Sequence, residues 1–289
     1  MTSVPYRLNK DVIRVYLSFC GEEKIGRVGF LDVRSDNPAD IVGVSETPVL
    51  DIGKPGRFDD HGVLPASLYQ EDGRLFLLYS GYQKLKEFPY TSFTGLAVSK
   101  DNGESFQRVK EVPLLDRVQD ERYIRSSGTL MKTTEGFLRS YYAAGTRWIA
   151  RDGLNDMPQY EIRSIDLHGT DLSNVFEGVT EVKGKTAISL RTGEVGIATP
   201  QIWWCDNAYH MIYSYRLIAK GYRIGYAVSI DGVKWERRDE KIHDNMSLSG
   251  WDSEMMCYGK MLCSETQAYL FYCGNHYGRD GIGYAILAD

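Results

Sequence analysis

The sequence has no apolar run that approaches the ~20 residues a helix needs to span a bilayer. Its first residues also lack the charged start, the apolar middle and the small-residue cleavage site of a secretory signal. These two absences argue against an integral membrane protein and against an exported precursor. We therefore expect a cytoplasmic protein.

Cysteine and histidine are both scarce. The five cysteines are odd in number, and each lies in or beside an apolar, strand-like run, which favours buried free thiols over a disulfide framework. No cysteine spacing suits a zinc site, and the five histidines contain no HExxH pair. The sequence therefore gives no indication of a metalloenzyme of these kinds.

An excess of positive charge is absent as well. The formal net charge is -5, which argues against a nucleic-acid partner because phosphate binding needs a basic surface. Hydrophobic residues make up 43% of the chain and charged residues 25%, as in an ordinary globular protein. This composition indicates neither a disordered nor a fibrous protein.

Sustained helical periodicity is rare, whereas strand-like patterns are common. Twenty tyrosines, a 12% aromatic fraction and short alternating runs favour strands. A glycine-led strand followed by a polar turn recurs at roughly 60 to 70 residues, a period that indicates a repeat architecture. The five copies are residues 25–30, 94–99, 160–164, 224–229 and 282–286.

Further strands precede each copy. A second aromatic strand stands at residues 12–19, 74–79, 136–142, 208–213 and 267–272. Before four of these lies an inner strand, at residues 63–69, 124–132, 197–204 and 256–263. The polar segments 99–106 and 229–235 resemble the Asp-box turns of propellers, which are structural.

Four strands per unit and five units predict an all-β fold, a five-bladed β-propeller of four-stranded antiparallel blades. We expect one domain over residues 1–289, because each blade can bury its faces only against its neighbours. The last unit has no room for a fourth strand. Residues 4–8 near the N-terminus are therefore expected to help close the ring.

Acidic residues stand immediately before the inner strands of four units. They are Asp59, Asp60, Glu121, Glu194, Asp252 and Glu254. Inner strands of a propeller line the central channel, so we expect these acids to converge at one end of the axis. Neighbouring carboxylates can divide the roles of acid and base that glycoside hydrolysis needs. The alternative is that each acid is a solvated loop residue or a turn former.

Basic and aromatic residues accompany the acids and are predicted to contact the substrate. With Glu121, this set comprises His61, Arg125, Trp148, Tyr215, Arg216, Arg223 and His276. The arginines would either offset the carboxylates or hold an anionic group such as a uronate or a phosphate. Trp148 would stack on a sugar ring or belong to the core between blades. His61 would be a proton shuttle or a turn residue.

Several segments resemble a group of predicted glycosidases from bacterial surface-polysaccharide gene clusters. They are FDDHGVLP (58–65), TGLAVSKDNGESF (94–106), YRIGYAVSIDGVKW (222–235), GWDSEM (250–255), YLFYCGN (269–275) and GIGYA (281–285). That group is similar to the superfamily of five-bladed propeller glycosidases, which includes arabinanases, xylosidases, invertases and levansucrases. The resemblance implies a glycosidase with a carbohydrate substrate, and it implies neither a nucleic-acid partner nor a membrane span.

The superfamily carries three acids on the inner strands of successive blades, the first directly before a proline. Here Leu64 precedes Pro65 and Thr199 precedes Pro200. From the resemblance we expect Asp60, or its neighbour Asp59, to act as base or nucleophile and Glu194 to act as proton donor. Asp252 or Glu254 would tune or replace one of them.

Two other functions stay open. The missing acid–proline pairs favour a non-catalytic carbohydrate-binding or scaffold propeller, whereas the arginines would suit a sugar transferase or phosphorylase. No cofactor is expected, but calcium occurs in the channel of related folds, so a metal there stays open.

Overall fold

Strands build almost all of the regular secondary structure, and they fall into five antiparallel groups. The computed structural model describes residues 2–151, 154–169, 171–172, 174–242, 246–263 and 267–287. Within each group, strands that follow one another along the chain pair side by side, so each group is a meander. These groups are the blades of the fold.

The first blade consists of β1 (Ser3–Arg7), β2 (Val12–Cys20), β3 (Gly26–Arg34) and β4 (Ile41–Val44). The second consists of β5 (Val63–Glu71), β6 (Arg74–Lys84), β7 (Tyr90–Ser99) and β8 (Gln107–Arg108). The third consists of β9 (Ile124–Lys132), β10 (Leu138–Arg151), β11 (Leu154–Leu167) and β12 (Lys185–Ile188).

The fourth blade consists of β13 (Glu194–Cys205), β14 (Ala208–Leu217), β15 (Gly221–Ser229) and β16 (Glu236–Arg237). The described part of the fifth consists of β17 (Cys257–Cys263), β18 (Ala268–Cys273) and β19 (Ile282–Ile286). A 3-10 turn at Asp239–Lys241 and a short helical segment, α1 (Asn275–Gly278), complete the regular structure of the described ranges.

The inner strands form a closed ring. Contacts run from β1 to β5, β9, β13 and β17 in turn, and β17 contacts β1 again. Parallel bridges between β7 and β9 and between β11 and β13 link successive blades. The all-β fold expected from the sequence, a five-bladed β-propeller, is confirmed.

Aromatic and aliphatic side chains fill the seams between blades. Tyr16 of the first blade packs edge-on against Phe106 of the second, with ring centroids 5.5 Å apart. At the opposite seam, Tyr269 and Phe271 of the fifth blade pack in one buried cluster with Ile13 of the first. Full burial of one such side chain stabilises the fold by about 1.5–3 kcal/mol. Each blade therefore depends on its neighbours for its core.

The ring closes by packing rather than by an exchanged strand. Strand β1 pairs with β2 as the inner strand of the first blade, and it lies beside β17. Arg7 Nη2 donates a hydrogen bond of 2.5 Å to the carbonyl oxygen of Cys263. The N-terminal segment thus takes part in closure, but within the described residues it adds no strand to the fifth blade.

The cysteines are free, as expected, but only some are buried. Cys257 and Cys273 are buried, whereas Cys20, Cys205 and Cys263 are exposed. The prediction of burial was wrong for these three because each is the last residue of its strand, where the chain leaves the core.

The Asp-box segments are structural turns. Asp101 Oδ1 accepts hydrogen bonds from Ser99 Oγ and Ser105 N, at 2.7 and 2.9 Å. Asp231 Oδ1 plays the same role for Ser229 Oγ and the backbone of Val233, at 3.0 and 2.8 Å. Each turn links the third strand of a blade to its fourth.

The repeated glycine makes room for a tyrosine of the second strand. Two cross-strand pairs share this arrangement, Gly95–Tyr79 and Gly225–Tyr213. At Gly283, which pairs with Tyr272, a Cβ atom would instead meet the ring of Trp251. A Cβ atom on Gly95 would lie 2.2 Å from Tyr79 Cζ, and one on Gly225 would lie 2.4 Å from Tyr213 Cε2. The tyrosine ring therefore crosses the glycine, where any side chain would exclude it.

We expect Gly95→Ala to lower the free energy of unfolding by about 3 kcal/mol, because overpacking of a filled core displaces the buried Tyr79 ring. Urea denaturation of the purified variant measures this change. Gly178→Ala is the matched control, since a Cβ atom there meets nothing within 4 Å. Equal loss of stability in both variants would contradict this interpretation.

Candidate functional site

The central channel opens into two connected spaces. The wider one, here called the mouth cavity, has a volume of about 570 Å³. It is lined by Tyr82, Pro89, Tyr90, Trp148, Pro158, Tyr160, Arg216, Tyr222, Tyr258 and Tyr277. The smaller one, the lower well, has a volume of about 60 Å³ and lies further along the inner strands.

Five tyrosines line both spaces and form what we call the tyrosine ring. They are Tyr82, Tyr90, Tyr160, Tyr222 and Tyr258. Tyr82 and Tyr90 have ring centroids 5.3 Å apart, as do Tyr222 and Tyr258. The hydroxyl groups of Tyr160 and Tyr222 are hydrogen-bonded to each other. Four blades thus contribute to one aromatic surface at the axis.

The lengths of the second and third strands bring these side chains to the axis. Tyr82 lies near the end of β6 and Tyr90 begins β7, so both stand at the turn that joins these strands. In the fourth blade, Arg216 near the end of β14 pairs with Tyr222 near the start of β15. The mouth cavity is therefore built largely from equivalent hairpin turns of successive blades.

Burial raises the pKa of each phenol in the tyrosine ring. The pKa of Tyr160 rises to about 12, and those of Tyr90, Tyr222 and Tyr258 rise well above their ordinary value. Burial also raises the pKa of Tyr82. These groups are consequently neutral near pH 7, where each can donate and accept hydrogen bonds.

Small hydroxyl side chains and strained backbone form the lower well. Ser127, Thr199 and Tyr258 have φ values of 57°, 54° and 59°, in the left-handed region that non-glycine residues rarely adopt. Each lies at a register shift of its inner strand, in β9, β13 and β17. Such bulges redirect side chains and concentrate near functional sites. The strain therefore supports a binding role for this end of the channel.

A buried lysine holds one of these strained residues. Lys260 Nζ donates hydrogen bonds to the carbonyl oxygens of Pro200 and Thr199, at 2.8 and 3.3 Å. Its side chain is only 3% exposed, and burial lowers the pKa of Lys260 to about 7. The lysine thus connects the inner strand β17 to β13 behind the lower well.

Lys260 makes stability depend on pH. Its pKa is about 7 when folded against 10.5 for the unperturbed group, so between these values only the unfolded chain holds the proton. The free energy of unfolding therefore rises with pH in this window, by up to about 1.4 kcal/mol per pH unit.

We expect Lys260→Met to abolish that part of the rise. Urea denaturation at pH 6.5, 8.0 and 9.5 measures it as the difference between wild type and variant, since other titrating groups are common to both. Lys100→Met, at an exposed position, is the control. An unchanged pH slope in Lys260→Met would show that the lysine stays charged in the folded protein.

Asp59 and Asp252, two of the predicted catalytic acids, are buried and do not line the mouth cavity. Asp59 accepts a hydrogen bond from Tyr79 Oη at 3.0 Å and pairs with Arg108 of the outer strand β8 at 2.7 Å. Asp252 accepts a hydrogen bond from Tyr272 Oη at 2.8 Å. Both tyrosines lie on the second strand of their blade, so in each of these two blades the acid before the inner strand is held by the second strand.

Glu121 sits in a buried ionic cluster. Its carboxylate pairs with Arg125 at 2.6 Å and with Arg163 at 2.7 Å, and it accepts a hydrogen bond from Tyr142 Oη at 2.8 Å. Arg125 is fully buried and also donates to the carbonyl oxygens of Asp116 and of residues in the segment before β12. Glu121 and Arg125, which were both predicted to contact the substrate, are therefore buried in the interior of the third blade.

Glu194 is bound by the outer strand of the fourth blade. Arg237 Nη1 and Nη2 donate to its two carboxylate oxygens, at 2.8 and 2.7 Å, and Arg191 N donates at 2.8 Å. Glu194 is therefore held by the outer strand of its own blade, and its role as proton donor stays a prediction.

The expectation that the acids meet at the axis is not met by this arrangement. None of the six acids is among the described residues that line the mouth cavity or the lower well. Leu64 and Thr199, which stand where the resembling superfamily has an acid before proline, both line the lower well. Glu254 is exposed, and its backbone carbonyl accepts a hydrogen bond from Arg223.

Asp60 differs from the other acids because it pairs with a histidine near the rim. Asp60 Oδ1 lies 2.5 Å from His61 Nδ1, and Oδ2 accepts a hydrogen bond from Gly56 N at 2.7 Å. The His61 backbone N–H donates to the carbonyl oxygen of Tyr82, a residue of the tyrosine ring, at 3.0 Å. The His61 side chain is 40% exposed. The pair therefore stands next to the mouth cavity.

Three other predicted substrate contacts lie at or beside the mouth. Trp148 and Arg216 line the mouth cavity. His276, paired with Asp280 at 2.7 Å, directly precedes the lining residue Tyr277, and both have left-handed φ values. Tyr215 and Arg223 are not among the lining residues; Arg223 bonds backbone carbonyls behind Tyr222.

The sequence analysis missed most of the tyrosine ring. Tyr82, Tyr90 and Tyr222 lie near the turn between the second and third strands, and Tyr258 lies at an inner-strand bulge, so position would have singled out these four. Tyr160 lies within the third strand β11 and carries no such signal. Aromatic residues are so common in this chain that their frequency alone gave no signal.

The residues at the axis do not fit a calcium ion. Calcium takes six to eight oxygen ligands, usually with carboxylates among them. The two spaces are lined instead by hydroxyl, aromatic and apolar side chains and by the cationic Arg216. Across the described ranges, no three His, Cys, Asp or Glu side chains come together as metal ligands. None of the described helices is long and apolar enough to cross a bilayer.

Comparisons with known proteins extend the fold assignment. No protein-family model matches the sequence. Two Mycobacterium tuberculosis proteins, from strains H37Rv and CDC 1551 and both described as uncharacterized, are 26% identical over 99% of this chain and 91% of theirs. These relatives share the length of the chain but do not indicate a reaction.

Solved structures of family-43 glycoside hydrolases have a similar fold. A thermostable family-43 enzyme is 17% identical with a TM-score of 0.68, and the match covers 100% of this chain and 89% of that one. An endo-arabinanase from Bacillus licheniformis is 11% identical with a TM-score of 0.67, covering 99% and 93%. An α-L-arabinofuranosidase from Lactobacillus brevis is 8% identical with a TM-score of 0.68, covering 98% and 88%. The chain thus has the fold of the family-43 glycoside hydrolases.

Proposed function

We propose that this protein binds a carbohydrate in the mouth cavity, and that binding rather than hydrolysis by paired carboxylates is its main function. The observation that carries this proposal is the lining: six tyrosines, Trp148 and Arg216, with no carboxylate among the described lining residues. Its volume of about 570 Å³ lies within the ordinary range for small-molecule sites.

Each part of the lining suits a sugar. Aromatic side chains offer apolar faces to the C–H surface of a pyranose or furanose ring, and tyrosine adds a polar group at its edge. The neutral phenols of the tyrosine ring can both donate to and accept from sugar hydroxyl groups. The fold shared with family-43 glycoside hydrolases supports a carbohydrate as the ligand class.

We expect Trp148→Ala to weaken sugar binding at least tenfold, equivalent to about 1.4 kcal/mol, because it removes a large aromatic surface from the mouth cavity. Isothermal titration calorimetry with bacterial oligosaccharides and methyl glycosides measures the affinity. Trp204→Ala is the matched control, since Trp204 is 40% exposed, lies next to the last residue of the inner strand β13 and is not a described lining residue. Equal affinities for the two variants, or no sugar binding by the wild type, would refute the proposal.

A second candidate function is glycoside hydrolysis, and the Asp60–His61 pair favours it. A carboxylate on Nδ1 keeps the proton on that nitrogen and leaves Nε2 as the base. Such a pair beside the mouth cavity could activate water or a hydroxyl group of the ligand. Under this candidate, the pair would do the work that the resembling superfamily assigns to an acid on an inner strand.

This candidate predicts release of sugar from aryl glycosides or bacterial oligosaccharides, lost by a factor of ~100 or more in Asp60→Asn. Chromatography of the released sugar measures turnover. Asp120→Asn, which alters an exposed carboxylate bound to Lys183, is the control. Unchanged turnover in Asp60→Asn would show that the pair takes no part in the reaction. If the wild type releases no sugar from any of these substrates, glycoside hydrolysis is rejected and sugar binding stays as the proposed function.

A further inference from the structure

Arg216 is the charged group of the mouth cavity. Its guanidinium carbon lies 5.7 Å from the ring centroid of Tyr222 and 5.8 Å from that of Tyr277. Arg216 Nη2 donates a hydrogen bond of 2.8 Å to Tyr277 Oη. The cation is thus held in place by two aromatic rings and one phenol, at the wall of an open cavity.

Several other arginines of the interior have a carboxylate partner, but Arg216 has none among the described residues. Arg125 pairs with Glu121, Arg108 with Asp59 and Arg237 with Glu194, at distances of 2.6 to 2.7 Å. The chain has 39 acidic residues against 34 lysines and arginines, so acids are not in short supply. The described residues that line this cavity include no carboxylate to balance Arg216.

A partly buried guanidinium with no carboxylate partner among the described residues favours an anionic ligand. Moving a charge out of water is costly unless an opposite charge or hydrogen bonds compensate. Cation–π contacts with Tyr222 and Tyr277 offset part of this cost. The neighbouring phenols are neutral because burial raises the pKa of Tyr222 and Tyr160, so they oppose no anion and can donate to one.

We propose that the mouth cavity selects sugars that carry an anionic group, a carboxylate or a phosphate, and that Arg216 binds this group. The inference rests on the proposed sugar-binding function and adds the class of ligand. A guanidinium donates two parallel hydrogen bonds to a carboxylate or a phosphate, which a neutral sugar cannot replace. The tyrosines then hold the ring of the sugar while Arg216 fixes its charged substituent.

Paired probes test the charge preference directly. Glucuronate, galacturonate and glucose 6-phosphate are compared with glucose and galactose by calorimetry, using wild type, Arg216→Met, Arg216→Lys and Arg238→Met. Arg238 is an exposed arginine paired with Glu236, and it serves as the control for a general loss of positive charge. Circular dichroism verifies that each variant is folded.

We expect at least one anionic sugar to bind the wild type tenfold or more tightly than its neutral parent. Arg216→Met should remove this preference while it retains weak binding of the neutral sugar, and Arg216→Lys should retain part of it. Arg238→Met should behave as wild type. The preference should persist from pH 6.5 to 9, because neither the guanidinium nor the buried phenols titrate there. A loss on passing pH 7 would overturn the assignment of the anion to Arg216.

The outcomes separate the two proposals. Equal affinity for neutral and anionic sugars, or a preference that survives in Arg216→Met, overturns the role of Arg216 but leaves sugar binding intact. Inorganic phosphate that binds as tightly as glucose 6-phosphate, and loses affinity in Arg216→Met, retains the anion site but overturns a sugar as its ligand. Comparing uronates with the sugar phosphate identifies which anionic group the cavity takes.

Discussion

The tyrosine of the second strand links the main features of this fold. In the second and fourth blades its ring crosses a glycine of the third strand. In the second and fifth blades its hydroxyl group binds the acid that precedes the inner strand. A buried phenol requires a hydrogen-bond partner, and a buried carboxylate requires a donor, so each satisfies the other. This interaction fixes where the chain enters the blade from the preceding one, and neither Asp59 nor Asp252 lines the mouth cavity or the lower well.

The fold could be predicted from the sequence because each repeat needs particular residue types at particular positions, and few other residues can replace them there. The glycine opposite a tyrosine, the Asp-box turn and the aromatic strand recur at regular intervals in the sequence. They can therefore be recognised without knowledge of contacts between distant residues. The strands at residues 94–99 and 224–229 lie within β7 and β15, as predicted. Exposure at strand ends was harder to predict, and it misled the interpretation of Cys20, Cys205 and Cys263.

The site was only partly predictable, since sequence order does not reveal the radial position of a side chain. An acid before an inner strand can face the axis or the outer part of its own blade. Partners that are distant in the sequence determine which position the acid takes. Asp59 pairs with Arg108, which is 49 residues away, and Glu194 pairs with Arg237, which is 43 residues away. Both partners hold the acid towards the outer part of its blade. Trp148 and Arg216 were found because charge and aromaticity were weighed together near a hairpin turn. The phenols around them were lost among twenty tyrosines.

The seam between the first and last blades has a consequence for ligand binding. That seam relies on side-chain packing and on a few hydrogen bonds such as Arg7 to Cys263. The mouth cavity is lined by Tyr82 of the second blade and Tyr277 of the fifth, which flank the first blade on either side. A ligand that contacts both tyrosines would bridge the blades on the two sides of this seam. If the proposed ligand binds only the closed ring, its binding would raise the temperature at which the ring opens.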